Sequence, residues 1–227
     1  MCYDELRGDR MRDIPVFTTQ NGVGSITLKE VPYKGVAYIK IQSTQNPGAF
    51  LHECVDFCKM TGAEAIYAAG HPILEEYPLH TAVLQMSVLR ERLPMTDAAL
   101  FPVTEKTMEQ WRSIYNERMR PIANASTMTR DDGEKMVKQG GGYFVHRGEE
   151  LLGIGIARGD TVESVISVKP GAGREVMLAL CGSLFSQSLR LEVASTNLRA
   201  IKLYESLGFL KTGEISRWYA VLTRKNT

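Results

Sequence analysis

The segment 189–209, LRLEVASTNLRAIKLYESLGF, leaves a folding chain few options. Leu189, Leu191 and Val193 alternate with Arg190 and Glu192, the pattern of a strand with one buried face. Ser195, Thr196 and Asn197 follow, three residues of the kind whose side chains accept from the unpaired amides at a helix start. Leu198, Ile201, Tyr204 and Leu207 then recur at helical steps, predicting one buried stripe. Gly208 stands where the chain needs a left-handed residue to leave the helix. Tyr204, on the apolar side of that helix, can bury its ring and keep its hydroxyl for chemistry.

The residues ahead of this segment repeat an earlier order. In the second half, 151–157 and 162–168 read as strands around the turn Arg158-Gly159-Asp160. Pro170-Gly171-Ala172 then opens an apolar helix that runs through Val176, Leu180 and Leu184 to Phe185, and the strand 189–193 follows. In the first half, 25–31 and 36–41 read as a hairpin around the turn 32–35. Asn46-Pro47-Gly48-Ala49 opens a helix with Leu51, Cys54, Val55 and Cys58 inward, and 63–69 is the next strand. Pro-Gly-Ala recurs after 123 residues, and the shared order implies an internal duplication. The first copy lacks the capped, tyrosine-bearing helix. Its 70–78 stretch carries Pro72 and Pro78, which interrupt any long helix. His71 and His80 beside it read as loop or surface residues. Residues 1–14 read as a loose lead-in. The run 90–97 suits a linker, 98–103 a short strand, and the residues from Thr104 to Met119 an amphipathic helix. Polar 123–142 reads either as a mobile segment near an acceptor site or as a surface loop, and Tyr143 opens another strand.

Composition excludes several function classes. The chain has 227 residues, enough for one large domain or two small ones. Net charge is +1, so no bulk field points to nucleic acid or an anionic membrane, and no apolar run reaches the length of a membrane span. The first ten residues are charged throughout and do not read as a secretory signal. Cys54 and Cys58 share a helix face, but no second ligand pair accompanies them, so they read as core residues and no metal is expected. Together with Cys2 and Cys181 they form no disulfide framework. The expected location is cytoplasmic, with neither a nucleic-acid nor a membrane partner.

Asn197-x-x-Ala200-x-x-x-Tyr204-x-x-x-Gly208-Phe209, following a strand, resembles the C-terminal signature of the GNAT family of acyl-CoA-dependent N-acetyltransferases. Within that family, 191–209 is similar to the branch that acetylates the N-terminal alanine of ribosomal proteins. The resemblance covers about 98–221 well and the first ninety-odd residues poorly. It implies an α/β (α+β) fold in which a mixed, mostly antiparallel sheet is flanked by helices. It also implies acetyl-CoA as cosubstrate and no metal. The division expected is a degenerate GNAT-like half over 1–92 and a working domain over 93–227.

The resemblance also assigns roles. Gly171, Ala172, Gly173 and Arg174 would form the pyrophosphate loop, about three residues shorter after Pro170 than the family pattern. Glycines and a helix N-terminus suit an anion. Ile166, Ser167 and Val168 would be the strand edge that pairs with the pantetheine arm, with an amide near Val168 facing the thioester carbonyl as an oxyanion donor. Tyr204 would be the general acid, and Asn197 would contact the carrier or an ordered water. Glu192 stands where the ribosomal-alanine branch has a general base; read on its own it is equally an outward charge on a half-buried strand. Cys181, within an apolar helix, is not expected to act as a nucleophile.

The reaction expected is direct attack of an amine on acetyl-CoA in one ternary complex. The acceptor is a peptide N-terminus or a small molecule, and Arg217, Trp218 and Tyr219 could border its pocket or simply pack. A non-catalytic acyl-CoA-binding or protein-interaction module on the same fold is the competing reading. Oligomeric state stays open, a homodimer included.

Overall fold

Alternating apolar residues decide where the strands lie, and capped helices decide how they connect. In the computed structural model, which describes residues 13–223, the chain forms two compact units. One holds the residues up to Ala82 together with those from Ser216 onward; the other is Val83–Ile215. The boundary therefore falls ten residues before the expected 92/93 division, and the chain's last strand ends in the first unit rather than the second.

The first unit contains β1 (Ile14–Thr19), β2 (Gly22–Thr27), the single turn α1 (Val31–Lys34), β3 (Val36–Thr44), α2 (Pro47–Met60) and β4 (Ala65–Ala69). It also takes the start of β5 (Leu79–Leu89) and the end of β11 (Leu210–Leu222). Its strand order is β1-β2-β3-β4-β11-β5. Asn46 caps α2 by accepting from the Ala49 amide at 3.3 Å, and Pro47 fits the first turn, where no amide hydrogen is needed. Phe50, Leu51, Cys54 and Cys58 of α2 bury against Ile39, Ile41, Ile66 and Ala68. The expected hairpin is present, but its 32–35 turn is α1, closed by Gly35. Ile14 opens a strand where a loose lead-in was expected; the lead-in itself lies almost wholly outside the described residues.

The second unit contains the end of β5, β6 (Ala99–Pro102), α3 (Met108–Met119), α4 (Arg130–Gln139), β7 (Gly142–Arg147), β8 (Glu150–Arg158) and β9 (Thr161–Ser167). It continues with α5 (Gly173–Gly182), β10 (Ser188–Ala194), α6 (Leu198–Ser206) and the start of β11, in strand order β11-β5-β10-β9-β8-β7-β6. One face of this sheet packs against α5 and α6 through Leu152, Val162, Leu189, Leu191 and Val193. The other packs against α3 and α4, where Trp111, Tyr115 and Met136 meet Phe144, Ile154, Ile156 and Ile166. Fully buried Trp111 keeps its indole satisfied by donating to the Tyr143 carbonyl at 3.0 Å.

Three local readings change. The segment 123–142 is neither mobile nor a loop throughout, because Arg130–Gln139 is helical. Thr129 and Asp132 form a reciprocal capping box, the Asp132 amide donating to Thr129 Oγ1 at 3.2 Å and the Thr129 amide to Asp132 Oδ2 at 3.1 Å. Leu198 is 63% exposed, so the buried stripe of α6 narrows to Tyr204, with Leu207 just past its end. Phe185 lies beyond the end of α5 and is 88% exposed.

The architecture is a mixed α/β fold, a mostly antiparallel sheet flanked by helices. The shared element order is real: in each unit an antiparallel pair (β2/β3, β8/β9) leads through a helix to a parallel strand (β4, β10). No helix among the described residues is long and apolar enough to cross a membrane.

Candidate functional site

The two copies differ where the parallel strand returns. β3 and β4 pair over five residues, from Val36↔Ala65 to Lys40↔Ala69. β9 and β10 pair only at Arg190↔Thr161 and Leu191↔Val162. Beyond those pairs each strand follows its other neighbour. β9 stays on β8 as far as Ser167↔Gly153, while β10 stays on β5 from Ser188↔Leu89 to Ala194↔Val83. A wedge therefore opens between them.

Hydrogen bonding decides which backbone groups of β9 face the wedge. The Val168 and Lys169 amides both donate to the Leu152 carbonyl, at 2.9 and 3.2 Å. A Cβ on Gly153 would overlap the Ile166 carbonyl oxygen and one on Gly155 would lie 2.6 Å from that of Ser164, so these carbonyls too turn toward β8. Successive residues of a strand turn their backbone groups to opposite edges, which leaves Val165 and Ser167 facing the wedge. Of Ile166, Ser167 and Val168, only Ser167 offers its backbone there. The Val168 amide is committed to Leu152 and is not the expected oxyanion donor; the Ile166 side chain is 4% exposed in the core.

β9 leads into the turn Lys169–Ala172. Gly171 has φ +84°, a left-handed conformation that a side chain resists, and a Cβ there would point into open space. Ala172 is the N-cap of α5, buries its methyl and supplies no side-chain cap. The first intrahelical bond runs from the Val176 amide to the Ala172 carbonyl at 3.0 Å, so the amides of Gly173, Arg174 and Glu175 have no helical acceptor. They sit at the positive end of the helix dipole, a ready anion site. Exposed Arg174 adds a full charge beside Arg147, which pairs with Glu175. These groups fit a diphosphate. Lys169 is already paired with Glu150 at 2.5 Å.

The helix bearing Tyr204 docks against that turn. Asn197 caps α6, its Oδ1 accepting from the Ala200 amide at 3.2 Å. At the other end the Phe209 amide donates to the Tyr204 carbonyl and the Gly208 amide to that of Glu205, with Gly208 at φ +88°. This is a Schellman closure, and the Tyr204–Phe209 ring contact at 6.0 Å is its hydrophobic seal. Leu203 Cδ2 would lie 3.2 Å from a Cβ on Gly173, so α6 rests against the first residue of α5. Tyr204 is 8% exposed in the core it shares with Ala172, Val176 and Leu191. Burial, and secondarily the Cys181 thiol, push its hydroxyl up to about 12.

Glu192 is exposed and opposite Gln85 on β5. It points away from Leu191 and Val193, hence to the sheet face opposite Tyr204. Gln85 and Thr212, whose hydroxyl donates to the Gln85 carbonyl at 3.3 Å, join Glu192 on the second unit's sheet. Sequence reasoning missed both, since no local pattern shows which strands become neighbours of β10.

The other candidates have the following surroundings. His71 caps the turn at Pro72, its Nδ1 accepting from the Ile73 amide. Trp218 and Tyr219 belong to the first unit, where Trp218 meets Tyr38 and Tyr219 joins the core. Cys54, Cys58 and Cys181 are buried thiols pushed by burial from 9.0 to about 12, far from a nucleophile's range. No cluster able to hold a metal ion occurs among the described residues.

These three thiols and Tyr204 set an alkaline limit. Folded, they keep their protons to about 12; unfolded, the thiols release theirs from about 9 and the phenol from about 10. Above pH about 9 the folded state binds more protons, so stability must fall as pH rises. Urea midpoints should be level between pH about 7 and 8.5 and decline steadily from about 9 to 11; a flat profile would contradict the burial of these groups.

The fold is that of the GCN5-related N-acetyltransferases. A GCN5-related N-acetyltransferase from Sphaerobacter thermophilus is similar with a TM-score of 0.56 at 10% identity, over 90% of this chain and 78% of that one. A tandem GNAT protein from the clavulanic acid biosynthesis pathway is similar over 100% of this chain and 90% of that one, with a TM-score of 0.53 at 10% identity. A conserved Staphylococcus epidermidis protein of unknown function is similar over 96% and 97%, with a TM-score of 0.57 at 12% identity. No protein-family model and no curated protein matches the sequence.

Proposed function

We propose that the Val83–Ile215 unit transfers an acetyl group from acetyl-CoA to a primary amine by direct attack in a ternary complex. The observation that carries this reading is the parting of β9 and β10 after two residue pairs. An extended arm can pair with the open backbone of Val165 and Ser167, and the same path ends on the uncapped amides of α5. Acetyl-CoA supplies the activated thioester and its thiolate leaving group. Gly173, Arg174 and Glu175 amides, with the Arg174 guanidinium, hold the diphosphate. The Ser167 amide is the donor for a developing oxyanion. Tyr204 keeps a proton at Oη throughout the working pH range and is the acid for the departing sulfur. Glu192, on the other face, takes the proton that a cationic amine must lose.

In the described residues of the first unit β3 and β4 stay paired over five residues, so we read that unit as a degenerate copy and place the reaction in the second. The ribosomal-alanine resemblance of 191–209 favours a peptide N-terminus as acceptor over a small amine.

The enclosure of Tyr204 supports a second reading, a module that binds acyl-CoA without turnover. Both are tested by titrating the full chain with acetyl-CoA calorimetrically and following thiol release with alanine-initiated peptides and small primary amines. Saturable binding with amine-dependent thiol release supports the enzyme. Binding without release on any amine supports the module, and absence of acetyl-CoA binding overturns both.

A further inference from the structure

A cavity of about 870 Å³ lies between the C-terminal half of α5 and the run 89–100, wholly within the second unit. That is the size of a small-molecule site. No described residue of β9, β10 or α6 lines it, and neither do Gly173, Arg174 and Glu175, so it is separate from the wedge and the anion site. Leu89, Leu93, Met95, Leu100, Leu178 and Phe185 give it an apolar wall. Met95 is 97% exposed and Phe185 88% exposed. One exposed apolar side chain is ordinary, but two large ones at a single concavity mark apolar surface kept for a ligand.

The walls are held in place without a ligand. The Arg90 amide donates to the Gln187 carbonyl at 2.8 Å, the Leu93 amide to the Arg90 carbonyl at 3.1 Å and the Ala98 amide to Thr96 Oγ1 at 3.2 Å. The acceptors at the end of α5 are already used. The Leu180 carbonyl accepts from the Ser183 amide and hydroxyl, that of Cys181 from the Leu184 amide, and that of Gly182 from Arg90 Nη2 at 3.3 Å. The Ser186 hydroxyl donates to the Gly159 carbonyl at 3.4 Å. What the polar side still offers is a cation. Half-buried Arg90 lies 5.8 Å over the Phe185 ring and forms no ion pair among the described residues. Its single hydrogen bond leaves most of its five N–H donors for another group.

We infer that this cavity binds an amphiphilic carboxylate with an alkyl chain, the chain on the apolar wall and the head group on Arg90. A guanidinium beside an apolar wall selects a carboxylate, with which it makes charge-assisted bonds. Glu91 also borders the cavity, but it is exposed, where water screens its charge. Leucine and methionine walls adapt to a flexible chain. The inference goes beyond acetyl transfer and does not depend on it.

Calorimetric titration of the full chain with decanoate tests this, with decanol and decylammonium as comparators. Decanoate should bind saturably and more tightly than either. Arg90→Gln should weaken decanoate about tenfold or more and leave decanol within about twofold, which separates loss of the charge from damage to the wall. Phe185→Ser should weaken both by about three- to tenfold. Near-UV circular dichroism identifies any variant that fails to fold. Methionine-methyl NMR of the wild type locates the ligand: decanoate should shift Met95 and leave Met108 and Met136, on the other face of the sheet, in place. The inference is overturned if decanoate gives no saturable heat, if decylammonium or decanol binds as tightly, if folded Arg90→Gln binds decanoate unchanged, or if the Met95 methyl does not move.

Discussion

On the proposed mechanism, Tyr204→Phe should lower kcat by about 10²–10⁴-fold and leave acetyl-CoA affinity within about twofold, because the change removes one proton donor and nothing else. The ring sits 8% exposed against Phe209, and phenylalanine fills that space. The lost hydroxyl is pushed up to about 12, so in the wild type it stays protonated through neutral pH. Wild-type kcat should therefore show no alkaline decline from this group until pH approaches about 12. Any decline seen between pH about 8 and 10 must come from another group and persist in the variant. Steady-state kinetics, calorimetric acetyl-CoA binding and thermal melts separate the contributions. An unchanged kcat in a well-folded variant would remove Tyr204 from the chemistry and return the proton transfer to water.

Gly153→Val should destabilise the fold by about 1–3 kcal/mol or more and, on the proposed function, weaken acetyl-CoA binding in whatever protein remains folded. A Cβ at Gly153 would overlap the Ile166 carbonyl oxygen and lie 2.7 Å from Val176 Cγ2. The first is backbone and cannot rotate away, and the second belongs to the helix whose start is the anion site. Pushing α5 from β8 moves the cradle with it. Gly155 is crowded similarly, by Leu180 Cδ1 and by the Ser164 carbonyl at 2.6 Å. Gly182→Ala is the control: no atom lies within 4 Å of a Cβ there, so its unfolding midpoint in urea should match the wild type. Equal midpoints for Gly153→Val and Gly182→Ala would contradict the close seating of α5.

The sequence was most readable where signals are local. Asn197 as a cap, Gly208 as a left-handed stop and the 47–60 helix are present as expected, because each depends on residues within one or two turns. Helix α4 was legible too, through Thr129-x-x-Asp132, but a polar run ending in three glycines obscured it. Leu198 and Phe185 misled for a common reason. Periodicity marks an apolar residue as a core candidate, but whether another element covers it is a tertiary fact.

The repeated strand–strand–helix–strand unit and the placement of glycines at 171 and 208 follow from the residues alone, since propensity, capping and handedness act over a few positions. What the sequence could not determine is which backbone edge stays open. That depends on β10 following β5 and β9 following β8, pairings set by contacts between residues about a hundred positions apart in one case and a dozen in the other. The same pairing took the Val168 amide out of the site and left Ser167 in it, because hydrogen-bond direction in a strand is fixed by its neighbours and not by its side chains.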